Sequence, residues 1–261
     1  MSCQLIAFLL ACLISTLFVV FMYILAWSHH RETREGIILR SIGTFCAIVT
    51  SIIILLVSGY IDYDTIKPTF SLSPSYLFES IIIPVGLTLI LFIGPIIDAY
   101  REGTLFALEI DEGWNADALP PFFTVLRAYL VGPFTEEYLY RFLMINVLIQ
   151  CFTTSSSILI SSGLFSISHI NHYIERLITG SDTVDWLVLA VHLLQTFVFA
   201  CYAGCIFIRA KSVLSLFLIH SFCNWMGAPR VDRIFADKRL TIWTFFGLIS
   251  CITLTTIYMI N

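Results

Sequence analysis

Residues 1–28, MSCQLIAFLLACLISTLFVVFMYILAWS, contain no charged side chain, and this stretch decides the fold class of the chain. A membrane-spanning helix needs about 20 mostly apolar residues, and the stretch exceeds that length. It also lacks the basic start and the cleavage site of a secretory signal peptide. The stretch therefore predicts a transmembrane helix.

The composition of the whole chain has the same bias. Of the 261 residues, 58% are hydrophobic and only 12% are charged, whereas a soluble domain has about 25% charged residues. This excess of apolar residues cannot be buried in one soluble core, so we expect the chain to contact membrane lipid. The net charge of -4 is modest, and the sequence has no basic face that would bind a nucleic acid.

Seven further apolar segments follow the first. Their unbroken apolar runs predict helices rather than barrel strands, and only these two structures satisfy every backbone polar group in lipid. We therefore predict an all-α, polytopic integral membrane helical bundle of about eight transmembrane helices, forming one membrane-embedded domain, 1–261. The predicted spans cover 1–28, 37–60, 77–97, 122–150, 156–170, 186–208, 212–226 and 241–260.

The basic residues predict an orientation for these spans. Cytosolic loops carry an excess of Lys and Arg, and the loops after the odd-numbered spans hold most of them here. This bias predicts that the odd-numbered loops face the cytosol and that both termini lie outside it. The residues on the predicted cytosolic side are Arg31, Arg34, Arg40, Arg101, Arg127, Arg176, Arg230, Arg233, Lys238 and Arg239, against Lys67, Arg209 and Lys211 on the other.

The chain has eight cysteines. All but Cys3 lie in or beside apolar runs, and none forms a C-x-x-C pair. We interpret them as small apolar residues that pack between helices. The sequence therefore predicts neither a disulfide nor a zinc–cysteine site.

The segment GPFTEEYLYR, 132–141, places three ionisable side chains inside a predicted span. Such a residue at mid-membrane costs about 2.5–3.5 kcal/mol and usually marks a functional interior. Glu137 and Arg141 are spaced i, i+4, so they share a helix face and can form an ion pair. Glu136 is about 100° around the helix from Glu137 and points elsewhere. An alternative is that Thr135 caps a helix and the two acids favour its N-terminal dipole.

Two further spans carry polar side chains at helical spacing. In LFSISHINHYIERL, 164–177, His169 follows Phe165 by one turn, and in LFLIHSFCNWMG, 216–227, Asn224 follows His220 by one turn. Each group alone is also typical of hydrogen-bonded packing between membrane helices. We interpret His192, which has no polar partner at helical spacing except Gln195, as structural.

Together, these groups provide what hydrolysis needs. A carboxylate and a histidine can deprotonate water and protonate a leaving amine, and amide or imidazole N–H groups can stabilise an oxyanion. The sequence contains neither a G-x-S-x-G elbow nor an H-E-x-x-H zinc motif.

The same residues resemble a known family. EEYLYR, FSISH and HSFCN match the E-E-x-x-x-R, F-x-x-x-H and H-x-x-x-N motifs of the CPBP (ABI) family of intramembrane proteases. Within it, GPFTEEYLYR, FSISHINHYIERL and HSFCNWMGAP are most similar to the eukaryotic type II CAAX prenyl endopeptidases, or Ras-converting enzymes. The motif-bearing core covers about 120–235.

This resemblance implies a reaction and its residues. The substrates would be prenylated CAAX-protein C-termini, such as those of Ras-like small GTPases, from which the enzyme removes the last three residues. The enzyme would lie in the endoplasmic reticulum membrane with its active site open to the cytosol, and would use no metal or other cofactor. Glu136 would activate water with the help of His169, and His220 and Asn224 would stabilise the oxyanion. Glu137 and Arg141 would pair and position the site.

Two alternatives remain at this point. A zinc protease could use Glu136, His169 and His220 as three ligands around an open water position. A non-catalytic membrane scaffold is the other, because the APH-1 subunit of γ-secretase is a distant relation of this family. The complete E-E-x-x-x-R motif favours an enzyme over a scaffold.

Overall fold

The computed structural model describes residues 2–29, 33–62, 64, 73–105, 121–171, 173, 174, 177 and 185–260. All regular secondary structure within these residues is helical. We number the helices α1 Cys3–Leu25, α2 Arg34–Val57, α3 Pro74–Leu91, α4 Ile93–Arg101, α5 121–148, α6 Thr154–Ser168, α7 Trp186–Ala210, α8 Val213–Met226, α9 Val231–Ala236 and α10 Lys238–Ile260.

The predicted fold class, a helical membrane protein with several spans, is confirmed. Every predicted span falls on a helix. Five of the described helices, namely α1, α2, α3, α7 and α10, are long and apolar enough to cross a membrane. The predicted count of eight spans is not confirmed, and the 14 residues of α8 reach only about 21 Å at 1.5 Å per residue.

Polar residues just before several helices explain where those helices begin. Thr33 accepts a hydrogen bond from the backbone N–H of Gly36 at 3.1 Å, and Thr153 accepts one from the N–H of Ser156 at 3.2 Å. Such N-caps satisfy donors that the first helical turn leaves without an intrahelical acceptor.

The described chain forms two compact units, each made of two separate stretches. Unit 1 comprises 1–68 and 134–208, and unit 2 comprises 69–133 and 209–261. The organisation as a single protease domain stays a prediction.

Unit 1 is built on close contacts of α1. A Cβ atom at Gly43 of α2 would collide with the backbone carbonyl of Phe21, so only glycine permits this approach of α1 and α2. On another side, Ser15 of α1 shares a 3.1 Å hydrogen bond with the hydroxyl of Tyr140 of α5. Both groups are buried, so a polar contact lies inside the apolar core.

A disulfide links the start of α1 to the residues after α5. Cys3 and Cys151 are bonded, with their Cα atoms 5.6 Å apart, so the prediction that the chain has no disulfide was wrong. The two cysteines are 148 positions apart in sequence. They meet because α1 and the last turns of α5 run antiparallel within unit 1.

A network of ion pairs links two helices of unit 2. Asp98 of α4 pairs with Arg230 at 2.9 Å and with Arg233 of α9 at 3.0 Å. Arg233 also contacts Glu102 just beyond α4. This network ties α4 to α9, and its members lie at helix ends rather than inside a long apolar helix.

Candidate active site

The helix that carries the acidic motif is irregular. Residues 121–148 are helical throughout, but Leu126–Val131 and Glu137–Leu143 adopt π-helical turns. π-helical turns inside α-helices occur frequently at functional sites. Thr135 is fully buried inside this helical run, so the alternative in which it caps the start of a helix is wrong.

Glu137 and Arg141 form the ion pair that their spacing predicted. Nε of Arg141 lies 3.2 Å from Oε2 of Glu137, and the two side chains are 1% and 0% exposed. Removing both charges from water costs several kcal/mol per ion, and only close pairing offsets that cost. The pair therefore holds a fixed position in the core of unit 1.

Aromatic rings complete the surroundings of Arg141. Its guanidinium carbon lies 4.1 Å from the ring centroid of Phe165 and 5.7 Å from that of Phe199. These distances are within the range of cation–π attraction. Among the described residues, none accepts a hydrogen bond from the two Nη atoms, so the ring faces and Glu137 balance this charge.

Glu136 differs from its neighbour in exposure. It is half-buried, whereas Glu137 is excluded from solvent. The position of Glu136 along α1 follows from Tyr140, which lies one turn further along α5 and contacts Ser15 of α1. Ser15 is about 18 Å from the start of α1 and about 15 Å from its end at 1.5 Å per residue. Glu136 thus lies near the middle of the length of α1, toward the end where α1 finishes.

The orientation of His169 fixes its tautomer. Its Nδ1 lies 2.8 Å from the carbonyl oxygen of Phe165, and a carbonyl can only accept, so Nδ1 carries the proton in the neutral ring. Nε2 then has the lone pair. The imidazole also packs edge-to-face on the Phe165 ring, with centroids 4.6 Å apart, so His169 and Arg141 contact the same aromatic side chain.

His192 is a residue that the sequence interpretation set aside and that the structure places beside His169. The two rings are perpendicular, with centroids 5.8 Å apart. The hydroxyl of Tyr173 lies 3.2 Å from Nδ1 of His192. Because His192 comes from a different stretch of chain than His169 and Tyr173, helical spacing contained no signal for its place in this cluster.

Unit 2 contains the other two predicted residues. His220 is buried and Asn224 is exposed, one turn apart on α8. Nδ2 of Asn224 donates to the carbonyl of Ala128 at 2.9 Å, and Ser221 donates to the carbonyl of Tyr129 at 2.7 Å.

Proline explains why α8 binds at that point of α5. Pro133 has no N–H, and Ala128 and Tyr129 are the residues five and four positions before it. A proline removes the donor that a helix would offer to a carbonyl at this distance. Pro133 therefore leaves one of these two carbonyls without its intrahelical donor, and Ser221 and Asn224 donate to the pair. Asn224 thus has a packing role, and its proposed oxyanion role stays a prediction.

The structure thus assigns the predicted residues to two sets. Unit 1 holds Glu136, the Glu137–Arg141 pair and His169, and unit 2 holds His220 and Asn224. Among the described residues, no three His, Cys, Asp or Glu side chains are grouped closely enough to hold a metal ion. That the two sets act on one substrate stays a prediction.

Comparison with known proteins supports the resemblance drawn from the motifs. Residues 118–226 match the model of a family described as "Type II CAAX prenyl endopeptidase Rce1-like". The chain is 29% identical over 164 residues to the human protein named CAAX prenyl protease 2, an alignment that covers 59% of this chain and 49% of that protein. It is 26% identical over 212 residues to the Arabidopsis thaliana protein of the same name, covering 74% of this chain and 67% of the relative.

A fungal relative has a similar level of identity. The chain is 27% identical over 158 residues to a Schizosaccharomyces pombe protein named "Probable CAAX prenyl protease 2", covering 58% of this chain and 56% of the relative. The alignments therefore span between about half and two thirds of these relatives. These matches confirm the resemblance to type II CAAX prenyl endopeptidases that the motifs predicted.

Proposed function

Because the chain is related to the type II CAAX prenyl endopeptidases, we propose that it is an intramembrane endopeptidase that removes the aaX tripeptide from prenylated CAAX proteins. The observation that carries this proposal is the polar centre of unit 1. A half-buried carboxylate, Glu136, stands next to a buried, charge-compensated Glu137–Arg141 pair inside an otherwise apolar membrane bundle.

In the proposed reaction, Glu136 acts as the general base. It takes a proton from a water molecule, and the water oxygen attacks the scissile carbonyl to form a tetrahedral oxyanion. The C–N bond then breaks, and the nitrogen leaves with a proton returned from the base as the amine of the tripeptide. The second product retains the prenylcysteine as its new C-terminus.

The remaining residues have supporting roles. His169, with its lone pair on Nε2, holds the attacking water. His220 and Asn224 stabilise the oxyanion by N–H donation, the role that the family resemblance implies. Glu137 pairs with Arg141 and so compensates the buried guanidinium charge beside the site.

We further propose that the site opens to the cytosol from the endoplasmic reticulum membrane. Three features support this orientation. The basic residues concentrate in the loops after odd-numbered spans. The hydroxyl of Tyr23, near the cytosolic end of α1, donates to the carbonyl of Asn171 at 3.3 Å, which brings the His169 end of α6 to this side. The Cys3–Cys151 disulfide lies at the opposite end of α1, where an oxidising lumen would maintain it.

The test is turnover of a farnesylated CAAX peptide by detergent-purified protein, with the released tripeptide detected by mass spectrometry. We expect release from the prenylated peptide by the wild type and a loss of at least about 100-fold in Glu136→Gln, whose amide cannot take a proton. The unprenylated peptide is the matched substrate control. Absence of turnover by well-folded wild type would favour the scaffold alternative.

The same assay after metal chelation distinguishes this mechanism from the zinc alternative. We expect turnover to survive exhaustive metal removal, since the proposed water is activated by a carboxylate alone. Loss of turnover that stoichiometric zinc restores would overturn the metal-free mechanism while leaving the endopeptidase activity intact.

A further inference from the structure

His169 is held on several sides, and three contacts fix its ring. Its Nδ1 lies 2.8 Å from the carbonyl of Phe165, and the Phe165 ring packs against it with centroids 4.6 Å apart. The third contact is the ring of His192 of α7, perpendicular to the imidazole at a centroid distance of 5.8 Å. A perpendicular arrangement at this distance is favourable for two aromatic rings.

His192 is itself oriented by a second residue. Tyr173 lies with its hydroxyl 3.2 Å from Nδ1 of His192 and with ring centroids 5.8 Å apart. The main chain under His192 is also fixed, because Thr196 donates to the carbonyl of His192 at 3.0 Å and contacts the hydroxyl of Ser166 of α6 at 3.3 Å. The α6–α7 contact is therefore anchored one turn from each histidine.

We propose that His192 is a positioning residue for His169, acting through the contact between the two rings, with Tyr173 fixing the orientation of the His192 ring. This inference rests on the proposed function, in which Nε2 of His169 holds the attacking water. Phe165 and the Nδ1 hydrogen bond restrain the ring at its attachment to α6, and His192 restrains it from α7. Without the α7 contact, the imidazole rotates about its side-chain bonds and Nε2 leaves its position.

The size of the effect follows from the sensitivity of catalysis to geometry. A displacement of about 1 Å can cost on the order of 100-fold in rate. We therefore expect His192→Ala to lower kcat between about 10- and 100-fold while KM for the prenylated peptide changes less than about twofold. A loss of packing alone would instead lower the folded yield and leave the kcat of the folded fraction unchanged.

Three further variants show whether the aromatic ring or the nitrogen atoms of His192 position His169. His192→Phe keeps an aromatic ring but no nitrogen, and we expect it to recover kcat to within about threefold of the wild type, a small fraction of the loss expected for a displaced group. His192→Gln keeps a partner for the Tyr173 hydroxyl but no ring, and we expect it to behave like His192→Ala. Tyr173→Phe should lower kcat less than His192→Ala does.

The experiment measures kcat and KM of all four variants and the wild type on the farnesylated peptide, with folded yield from size-exclusion chromatography. Recovery by Phe and not by Gln supports the inference. Recovery by Gln and not by Phe, or an unchanged kcat in folded His192→Ala, overturns it while the proposed function stands. Inactive, well-folded wild type overturns the proposed function itself, and this inference with it.

Discussion

Nε of Arg141 lies 3.2 Å from Oε2 of Glu137 at a point where the two side chains are 1% and 0% exposed. Loss of one partner leaves the other as an isolated buried charge, which costs about 3–5 kcal/mol. We expect Glu137→Ala and Arg141→Ala each to lower the folded yield and the Tm in detergent. Thermal denaturation followed by size-exclusion chromatography measures both.

The double variant Glu137→Gln with Arg141→Met is the control for this interpretation. It removes both charges, and replacement of a whole buried pair is often nearly neutral. We expect its Tm to exceed that of either single alanine variant. If the losses in the single variants simply add in a double alanine variant, the two residues are not energetically coupled.

Substitution of Glu136 should lower turnover and leave the stability of the fold nearly unchanged. It is half-buried, and glutamine fills the same volume, so we expect Glu136→Gln to fold with a Tm close to that of the wild type. Because the amide cannot accept a proton from water, turnover should fall by at least about 100-fold. Steady-state cleavage of the farnesylated peptide tests this, and near-normal turnover in the folded variant would remove Glu136 from the role of base.

The sequence predicted what local spacing determines. The Glu137–Arg141 contact was predictable because both residues share one face of one helix, and the membrane helices were predictable from the length of their apolar runs. The length criterion leaves the predicted count of eight spans unconfirmed, because α8 has only 14 residues.

Contacts between distant stretches were not predictable. Cys3 and Cys151 are 148 positions apart and follow no spacing rule. The ring of His192 contacts His169 and Tyr173, which belong to a separate stretch of chain. The structural role of Asn224 depends on a carbonyl near Pro133, and only the three-dimensional packing of α8 reveals that partner.

The disulfide leads to a prediction about labelling. We expect denatured, unreduced protein to leave Cys3 and Cys151 unreactive toward a polyethylene glycol maleimide, and reduction to add two labels. The double variant Cys3→Ser with Cys151→Ser should gain no label on reduction and have a lower Tm, since a disulfide restrains the unfolded chain. Cys201→Ser, at a free cysteine, is the matched control. Equal labelling before and after reduction of the wild type would contradict the bond.

The ion-pair network of unit 2 predicts a local loss of structure in acid. The hydrogen bond from the Arg233 side chain lowers the pKa of Glu102, and the backbone N–H of Arg239 lowers the pKa of Asp237. A carboxyl whose pKa is lower in the folded state stabilises that state above its unfolded pKa of about 4. This contribution is lost as pH falls through the lower folded pKa.

Hydrogen exchange of α9 and the start of α10 tests this pH dependence. We expect protection there to fall as pH decreases below about 4, after correction for the intrinsic pH dependence of exchange. Glu102→Gln should make the loss of protection at low pH smaller, because the glutamine side chain cannot titrate. Protection that changes equally in the wild type and in this variant would exclude Glu102 as a source.

Asn224 and Ser221 together separate catalysis from packing on α8. Both donate to carbonyls near Pro133, but only Asn224 has a second amide N–H that can meet an oxyanion. Ser221→Ala therefore removes a packing contact alone, and we expect it to lower the folded yield with little change in kcat. Asn224→Ala should also lower the folded yield.

In addition, we expect Asn224→Ala to lower kcat by about 10²–10³-fold in the folded fraction, with little change in binding of a non-cleavable prenyl peptide. The oxyanion exists only as water adds to the carbonyl, so its donor stabilises the transition state more than the bound substrate. We expect Asn224→Asp to lower kcat further than Asn224→Ala does, because its carboxylate would repel both the carbonyl oxygen of Ala128 and the developing negative charge. Measurement of kcat and of direct peptide binding for the three variants distinguishes the roles. Equal and small effects on kcat in Ser221→Ala and Asn224→Ala would assign Asn224 to packing alone.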